Sequence, residues 1–122
     1  MDVIAQSKNH VLEIAQLLAD HKGQNTIVID VSNISSWTNF FVITTVRSST
    51  HLRGLVDSLA EYFHQKKIKS LNNFKTSKNE EWVLIDCGTF IVHLMTHDKR
   101  EFYELEKLWF KGDQLYISQL SS

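Results

Sequence analysis

Residues 82–109 read WVLIDCGTFIVHLMTHDKREFYELEKLW, and this stretch decides the fold that the sequence predicts. Two apolar runs flank Gly88-Thr89, a two-residue turn with glycine first that is typical of a type II′ β-hairpin. After the second run, Asp98 with Glu101 three residues later has the pattern of a helix N-cap and capping box. The stretch therefore predicts a β-hairpin followed by a helix.

The predicted hairpin register divides the side chains between two faces, because successive residues of a strand point to opposite sides. One set is wholly apolar and is expected to face the core, with the pairs Cys87–Phe90, Ile85–Val92 and Val83–Leu94. The other set mixes apolar residues with an aspartate and a histidine, in the pairs Asp86–Ile91, Leu84–His93 and Trp82–Met95. A mixed face is typical of a partly exposed surface, so we expect the hairpin to present a binding face.

Hydrophobic periodicity predicts the elements upstream of the hairpin. A helical stripe occupies the first twenty residues and stops before Gly23, and short β-branched or apolar runs at residues 27–31 and 40–46 predict strands. The hydroxyls of residues 48–50 offer N-caps to a second helix. The two helical stripes consist of Val11, Ile14, Ala15 and Leu18, and of Leu52, Leu55, Val56, Leu59 and Phe63.

The element order is therefore helix, two strands, helix, two strands, helix. The second strand, the helix after it and the third strand predict a βαβ unit within a mixed sheet. We expect a single small α/β domain, with a twisted sheet of about four strands and helices mainly on one face. The domain is predicted to span residues 1–110, and residues 111–122 to form a C-terminal tail. Leu115-Tyr116-Ile117 in that tail either adds a short strand or packs against the body.

Composition restricts the classes of function. The net charge of −1 provides no overall basic field for nucleic acid, so we expect no direct, sequence-specific nucleic-acid binding. A single cysteine excludes an internal disulfide and a multi-thiolate zinc site. The start lacks the pattern of a signal peptide, and no apolar run approaches the roughly 20 residues that span a bilayer. We expect a cytoplasmic protein without a membrane partner.

The reactive residues do not form a recognisable catalytic pattern. His93 and His97 lie four apart, a spacing that converges metal ligands on a helix but not at the end of a strand. Cys87 as a nucleophile needs a nearby base, and the predicted register sets it on the opposite face from His93. The hydroxyls after the second strand lack the glycines of a phosphate loop, so helix capping is favoured. We predict no catalytic residue, cofactor or metal.

Trp82 has two possible roles. Large aromatic side chains are usually mostly buried, which favours a place in the core. Trp82, however, follows the charged Glu80-Glu81 and shares a face with Asp86 and His93. Because interfaces are enriched in amphipathic aromatics, we slightly favour a contact role for Trp82. Trp109, on a helical stripe with Leu105, is assigned to the core.

The chain resembles a known family, the ribosomal silencing factors or Iojap family. The resemblance covers nearly the whole chain up to Trp109. It is carried by Trp-x-x-x-Asp-x-Gly, Val-His and Arg-x-x-Tyr-x-Leu-Glu-x-Leu-Trp within residues 81–109. Further support comes from KGQNTIVIDVS at residues 22–32, NFFVITT at residues 39–45 and SSTH at residues 48–51.

This resemblance implies a non-enzymatic translational repressor. It would bind the large ribosomal subunit through its protein fourteen and sterically block joining with the small subunit. The resemblance also implies a nucleotidyltransferase-like core that has lost its catalytic residues, and a homodimer. Matched residue by residue, the partner-contacting aromatics fall on Trp82 and Tyr103. Cys87 occupies a third contact position that is commonly leucine, and Asp86 matches the aspartate of the motif.

The chain departs from the family pattern in its loops. Thr45-Val46 stands where a Thr-Gly pair is usual, Asn39 replaces a common acidic residue, and a lysine-containing polar segment replaces Glu-Gly before Trp82. Two alternative functions stand beside the one that the resemblance implies. One is a nucleotidyltransferase-like, nucleotide-binding enzyme, for which only the isolated Asp30 and Asp86 are available as strand carboxylates. The other is a dimeric interaction domain with a different partner.

Overall fold

The computed structural model describes residues 3–72, 80–103 and 113–117, and at residues 101–103, 113, 114, 116 and 117 the description is of the backbone. Three helices and five strands lie in this part of the chain. In chain order they are α1 (Val3–Asp20), β1 (Gln24–Asp30), β2 (Phe40–Val46), α2 (Ser49–Lys66), β3 (Trp82–Asp86), β4 (Phe90–Thr96), α3 (His97–Tyr103) and β5 (Asp113–Ile117).

The strands form one mixed sheet in the order β3-β4-β2-β1-β5. β2 and β4 run parallel, and every other neighbouring pair is antiparallel. The predicted βαβ unit of the second strand, the helix and the third strand is wrong, because β3 pairs with β4 at the edge of the sheet and the parallel partner of β2 is β4. The predicted fold class, a small α/β domain with a mixed sheet, is confirmed. The sheet contains one strand more than the four expected, because residues 113–117 of the predicted tail pair with β1. The nucleotidyltransferase-like character of the core stays a prediction.

The hairpin register agrees with the sequence prediction. All five pairs predicted between β3 and β4, from Trp82–Met95 to Asp86–Ile91, are Cα partners in the sheet. At the turn, Gly88 has φ +83°, a left-handed conformation that glycine adopts without steric cost. The Cys87 amide donates to the Phe90 carbonyl at 2.9 Å and closes the turn. Glycine at this position therefore sets the pairing of the whole hairpin.

One face of the sheet, the helix-covered face, packs against α1 and α2. Both predicted helical stripes are buried there, with Leu18, Leu52 and Leu59 fully excluded from solvent. The strand residues of this core include the apolar hairpin set, as predicted. They are Val28, Phe40, Val42, Val46, Val83, Ile85, Phe90, Val92 and Leu94.

The opposite face, called here the aromatic face, carries a second and smaller apolar cluster. Its buried members are Ile27, Ile29, Val31, Ile43 and Met95, and Phe41 and Trp82 pack against them while remaining partly exposed. The prediction of a partly exposed mixed set holds on β3 but is wrong for β4, where Ile91, His93 and Met95 are buried. The physical reason is strand position, since β4 is flanked by β2 and β3 while β3 is the last strand on its side.

Helix ends follow local capping chemistry. α1 ends with Lys22 in the left-handed region (φ 74°), while the Gly23 amide donates to the Leu18 carbonyl at 2.8 Å. Gly23 is needed for space, because a Cβ there would lie 2.6 Å from Thr44 Oγ1 and 2.8 Å from the Leu18 carbonyl oxygen. At the start of α2, Ser48 is the N-cap, and its side chain accepts from the His51 amide at 3.1 Å.

The predicted start of the last helix needs a correction. α3 begins at His97, directly after β4, and Asp98 lies within its first turn instead of capping it. The Thr96 hydroxyl accepts from the Lys99 amide at 3.5 Å, so the last residue of β4 takes the capping position. Asp98 still suits this place, because a carboxylate is favoured near the positive end of the helix dipole.

Several predictions fall outside the described residues. They concern part of the polar connection between residues 66 and 81, and Leu105, Trp109 and Lys111-Gly112 at the predicted end of the last helix.

Candidate functional site

Four rings form a continuous row across the aromatic face, and we call Trp37, Phe41, His93 and Trp82 the aromatic row. Each ring centroid lies within 6.3 Å of the next: 6.3 Å from Trp37 to Phe41, 5.2 Å from Phe41 to His93 and 6.0 Å from His93 to Trp82. The row runs from the loop between β1 and β2, over β2 and β4, to the first residue of β3. It joins segments that are distant in sequence into one surface.

His93 fixes the orientation of Trp82 within the row. The Trp82 indole Nε1 donates to His93 Nδ1 at 3.3 Å. Since Nδ1 accepts, the neutral imidazole carries its proton on Nε2, which is buried and has no hydrogen-bond partner among the described residues. Burial lowers the pKa of His93 to about 4. His93 is therefore neutral at pH 7, the state in which it can accept the indole hydrogen bond.

Trp37 lies at the exposed end of the row, with 66% of its surface accessible to solvent. Its position is set by local hydrogen bonds, because the Ser35 hydroxyl accepts from the Trp37 and Thr38 amides at 3.3 Å. The same loop is joined to the hairpin turn, where the Asn39 amide donates to the Thr89 carbonyl at 3.0 Å. The loop thus holds an apolar ring in water on a fixed backbone.

The free edge of β3 is closed by a short segment of this chain. The Asn72 side-chain amide donates to the Leu84 carbonyl at 2.7 Å, and its oxygen accepts from the Asp86 amide at 2.9 Å. The Leu71 amide donates to the Asp86 carbonyl at 2.6 Å. These bonds occupy backbone groups with which a partner strand would otherwise pair. The part of β3 that remains available for contact is therefore its side chains, including Leu84, which is 37% exposed.

Asp86 and Cys87 build the hairpin turn. Asp86 Oδ1 accepts from the Gly88 amide at 2.9 Å, so the carboxylate stabilises the turn. The Cys87 side chain is partly buried and packs against the helix-covered core, on the other side of the sheet from His93. Burial and the neighbouring Asp86 charge raise the pKa of the Cys87 thiol to about 12. The thiol is protonated at pH 7, which disfavours a nucleophilic role.

The four residues predicted to contact a partner are thus only partly brought together. Trp82 and Asp86 share one face of β3, and Cys87 lies on the opposite face. Tyr103 is the last residue of α3, and its side chain lies outside the described part of the chain. Their shared role in binding stays a prediction.

The strand carboxylates lie apart in the sheet. Asp30 on β1 and Asp86 on β3 are separated by β2 and β4, which corresponds to about 14 Å at the usual strand spacing. Each has a local role: Asp30 Oδ1 accepts from the Ser32 amide at 2.9 Å, and Asp86 holds the turn. Across residues 3–72, 80–103 and 113–117, no three His, Cys, Asp or Glu side chains are grouped as metal ligands. This arrangement disfavours the nucleotidyltransferase alternative.

An open polar groove lies at the start of α2, where the hydroxyls after the second strand were weighed between phosphate binding and helix capping. It is lined by Arg47, Ser48, Ser49, Glu81 and Thr96. Ser48 acts as the helix cap, and the Glu81 carboxylate opposes an anion in the same groove. Capping, the predicted role of the hydroxyl run, is confirmed for Ser48.

Sequence reasoning missed two contributors to the aromatic face and its edge. Trp37 was hidden in a run of turn-forming residues, and Asn72 lies outside any motif. The one available signal for Trp37 was that a single tryptophan occurs among polar, turn-forming residues. Arg100 was also underestimated: it is buried and donates to the Asn25 carbonyl at 2.7 Å and to Thr45 Oγ1 at 2.9 Å. It thereby attaches α3 to the end of the aromatic face.

The fold and the aromatic row define a class, a small α/β protein that presents an aromatic surface on a β-hairpin and its neighbouring loop. A family model described as "Ribosomal silencing factor during starvation" matches residues 4–121. The chain belongs to this family, as the resemblance of its motifs indicated.

Individual relatives agree with this assignment. The chain is 32% identical over 97 residues to "Ribosomal silencing factor RsfS" of Treponema pallidum, which covers 79% of this chain and 86% of the relative. It is 33% identical over 98 residues to "Mitochondrial assembly of ribosomal large subunit protein 1" of mouse, covering 79% of this chain and 43% of that protein. The chain spans about half the length of the mitochondrial relatives that it matches.

A solved structure supports the fold. The crystal structure of a Chromobacterium violaceum protein superposes with a TM-score of 0.74 at 24% identity, covering 100% of this chain and 97% of that one. Within the described residues, no helix has the length and apolar character needed to cross a membrane.

Proposed function

We propose that the chain is a translational repressor that binds the large ribosomal subunit through ribosomal protein fourteen and sterically blocks joining with the small subunit. Family membership supports a ribosomal silencing role, and the name of the mouse relative refers to the large ribosomal subunit. The observation that carries the proposal is the half-buried Trp82, held by His93 on the exposed edge of the aromatic face.

The chemistry of this surface favours a protein contact. Residues 24–46 and 80–96, which supply the aromatic row, contain no lysine or arginine. They contain four carboxylates, at Asp30, Glu80, Glu81 and Asp86. Binding to a phosphate backbone depends on cationic side chains, so a surface of this composition is poorly suited to ribosomal RNA. Amphipathic aromatics with a polar rim are instead typical of protein–protein interfaces.

Within this proposal Trp82 is the principal contact, with Leu84 beside it on the same face of β3. The hydrogen bond to His93 fixes the indole before binding, so little side-chain entropy is lost when the partner docks. Asp86 supports the contact indirectly by holding the turn, and Cys87 by packing beneath it. Tyr103 is retained as a contact on the basis of the family motif.

The test is co-sedimentation of the purified chain with isolated large subunits, together with a subunit-joining assay. We expect the wild-type chain to sediment with large subunits and to reduce joining when small subunits are added. Trp82→Ala should weaken binding by about 2–4 kcal/mol, roughly 30- to 1,000-fold in Kd. Far-UV circular dichroism should show that this variant remains folded, because Trp82 is only partly buried.

Ile4→Ala is the matched control. Ile4 is an exposed apolar residue of α1, and α1 packs on the opposite side of the sheet from the aromatic row. This variant should bind large subunits like the wild type. If the wild-type chain neither sediments with large subunits nor changes joining, the proposed function is wrong. If Trp82→Ala unfolds the chain, Trp82 belongs to the core instead.

A further inference from the structure

We propose that Trp37 is a second contact point for the same partner, so that the interface extends along the whole aromatic row from Trp82 to the loop between β1 and β2. This inference rests on the proposed function and deepens it. The partner is then a protein whose surface carries an apolar patch wide enough to contact both tryptophans.

The exposure of Trp37 is the first argument. A tryptophan with 66% of its surface in water leaves a large apolar area solvated, and folding alone gives no reason for this. Ile34 in the same loop is also 44% exposed, and the Trp37 ring continues into that of Phe41. Contiguous exposed apolar patches on soluble proteins commonly mark interaction sites.

The second argument is preorganisation. The Ser35 hydroxyl holds the Trp37 and Thr38 amides, and the Val31 amide donates to the Asn39 carbonyl at 2.8 Å across the base of the loop. The loop backbone is thus fixed from both sides. A ring presented on a fixed backbone loses less entropy on binding than one on a loose loop, which favours a contact role.

The third argument is continuity with the Trp82 surface. Trp37 contacts Phe41, whose ring meets the edge of His93, and His93 accepts the hydrogen bond of Trp82. A specific protein interface usually buries about 800 Å² on each partner, more than Trp82 and Leu84 alone provide. Extending the contact along the row supplies further area without crossing a charged side chain.

Charge identifies the class of the partner. The segments that supply the row contain no lysine or arginine, so the occupant is not expected to be RNA. Glu80 lies just before β3 and Asp86 is its last residue, so carboxylates at the two ends of the contact strand suit basic side chains around the apolar patch of the partner. The occupant is therefore the protein surface that Trp82 contacts, with an apolar centre and a basic rim.

The test measures the Kd for isolated large subunits with Trp37→Ala, Trp82→Ala, the double variant and the Ile4→Ala control. We expect Trp37→Ala to weaken binding about tenfold while its urea unfolding midpoint matches that of the wild type. If Trp82→Ala loses binding and Trp37→Ala binds like Ile4→Ala, the inference is wrong and the proposed function stands. If the wild-type chain does not bind large subunits, both are wrong.

Two further arms exclude other occupants. A steep loss of affinity with added salt, together with binding of the wild-type chain to deproteinised large-subunit RNA that Trp37→Ala abolishes, would assign the loop to RNA and overturn the inference. Light scattering of the free chain provides the second arm. If Trp37→Ala converts a dimer into a monomer and leaves the affinity for large subunits unchanged, Trp37 belongs to a self-association surface and the inference is wrong.

Discussion

The helix-covered face and the aromatic face are built from the same strands by alternate residues, yet the described chain covers them differently. α1 and α2 lie over the first face, where the buried cluster consists of aliphatic residues, phenylalanines and Tyr62. On the second face five apolar residues form a buried cluster, but Phe41 and Trp82 remain partly exposed and Trp37 projects beyond them. The first face therefore holds the larger part of the core, and the second leaves exposed the aromatic surface that we propose for a partner.

The edge strand explains why the same hairpin can serve both purposes. β4 lies inside the sheet, so its residues are buried on both faces. β3 has a neighbour on one side only, and Asn72 with Leu71 occupies its other edge. The chain thus closes the backbone edge, where aggregation would begin, while the side chains of the aromatic face stay available.

The largest expected effect comes from a substitution on the helix-covered face. Leu59→Ala removes a fully buried side chain of α2 and should destabilise the protein by about 2–5 kcal/mol, since the cavity left behind adds to the lost burial. Urea unfolding monitored by circular dichroism measures this change. Leu84→Ala on the aromatic face is the matched control and should cost less than about 1 kcal/mol. Equal losses in the two variants would contradict the division of roles.

A second prediction concerns His93 and pH. Its folded pKa, about 4, lies below the ordinary value of 6.5, so between these values the unfolded chain binds more protons. The stability contributed by neutral His93 is complete above about pH 6.5 and is lost as the pH falls toward 4. The loss amounts to about 3 kcal/mol at 1.36 kcal/mol for each pKa unit.

The measurement is urea unfolding of the wild-type chain and of His93→Phe at pH 7 and pH 4.5. His93→Phe should lose distinctly less stability on acidification, because it has no imidazole to protonate. The two chains share every other titratable group, and the difference between them therefore isolates His93. An identical pH dependence would show that His93 is more accessible to water than its 5% exposure indicates.

Local signals were sufficient to predict most of the fold. Glycine at residue 88 and the alternation around it predicted the hairpin register, and periodic stripes predicted both long helices. The β5 strand was left open because Leu115-Tyr116-Ile117 is short and its pairing with β1 is a tertiary contact. The start of α3 was misplaced because Asp98 and Thr96 are both good caps, and only the end of β4 decides between them.

The candidate site was less predictable. Register alone assigned Trp82 and Asp86 to one face and Cys87 to the other. It did not reveal that Trp37 joins the same surface, because the contact to Phe41 depends on how the loop folds over β2. The pairing of Trp82 with His93 is a diagonal contact between strands, and its hydrogen bond depends on side-chain rotamers that periodicity does not specify.

The most direct test of the central claim is hydrogen–deuterium exchange of the wild-type chain, with and without an excess of isolated large subunits. We expect the subunits to slow exchange in peptides covering residues 80–88, where the edge strand and the hairpin turn lie, and to leave peptides from α1 and α2 unchanged. Protection confined to α1 and α2, with residues 80–88 exchanging as in the free chain, would contradict the assignment of the aromatic face to the ribosomal partner.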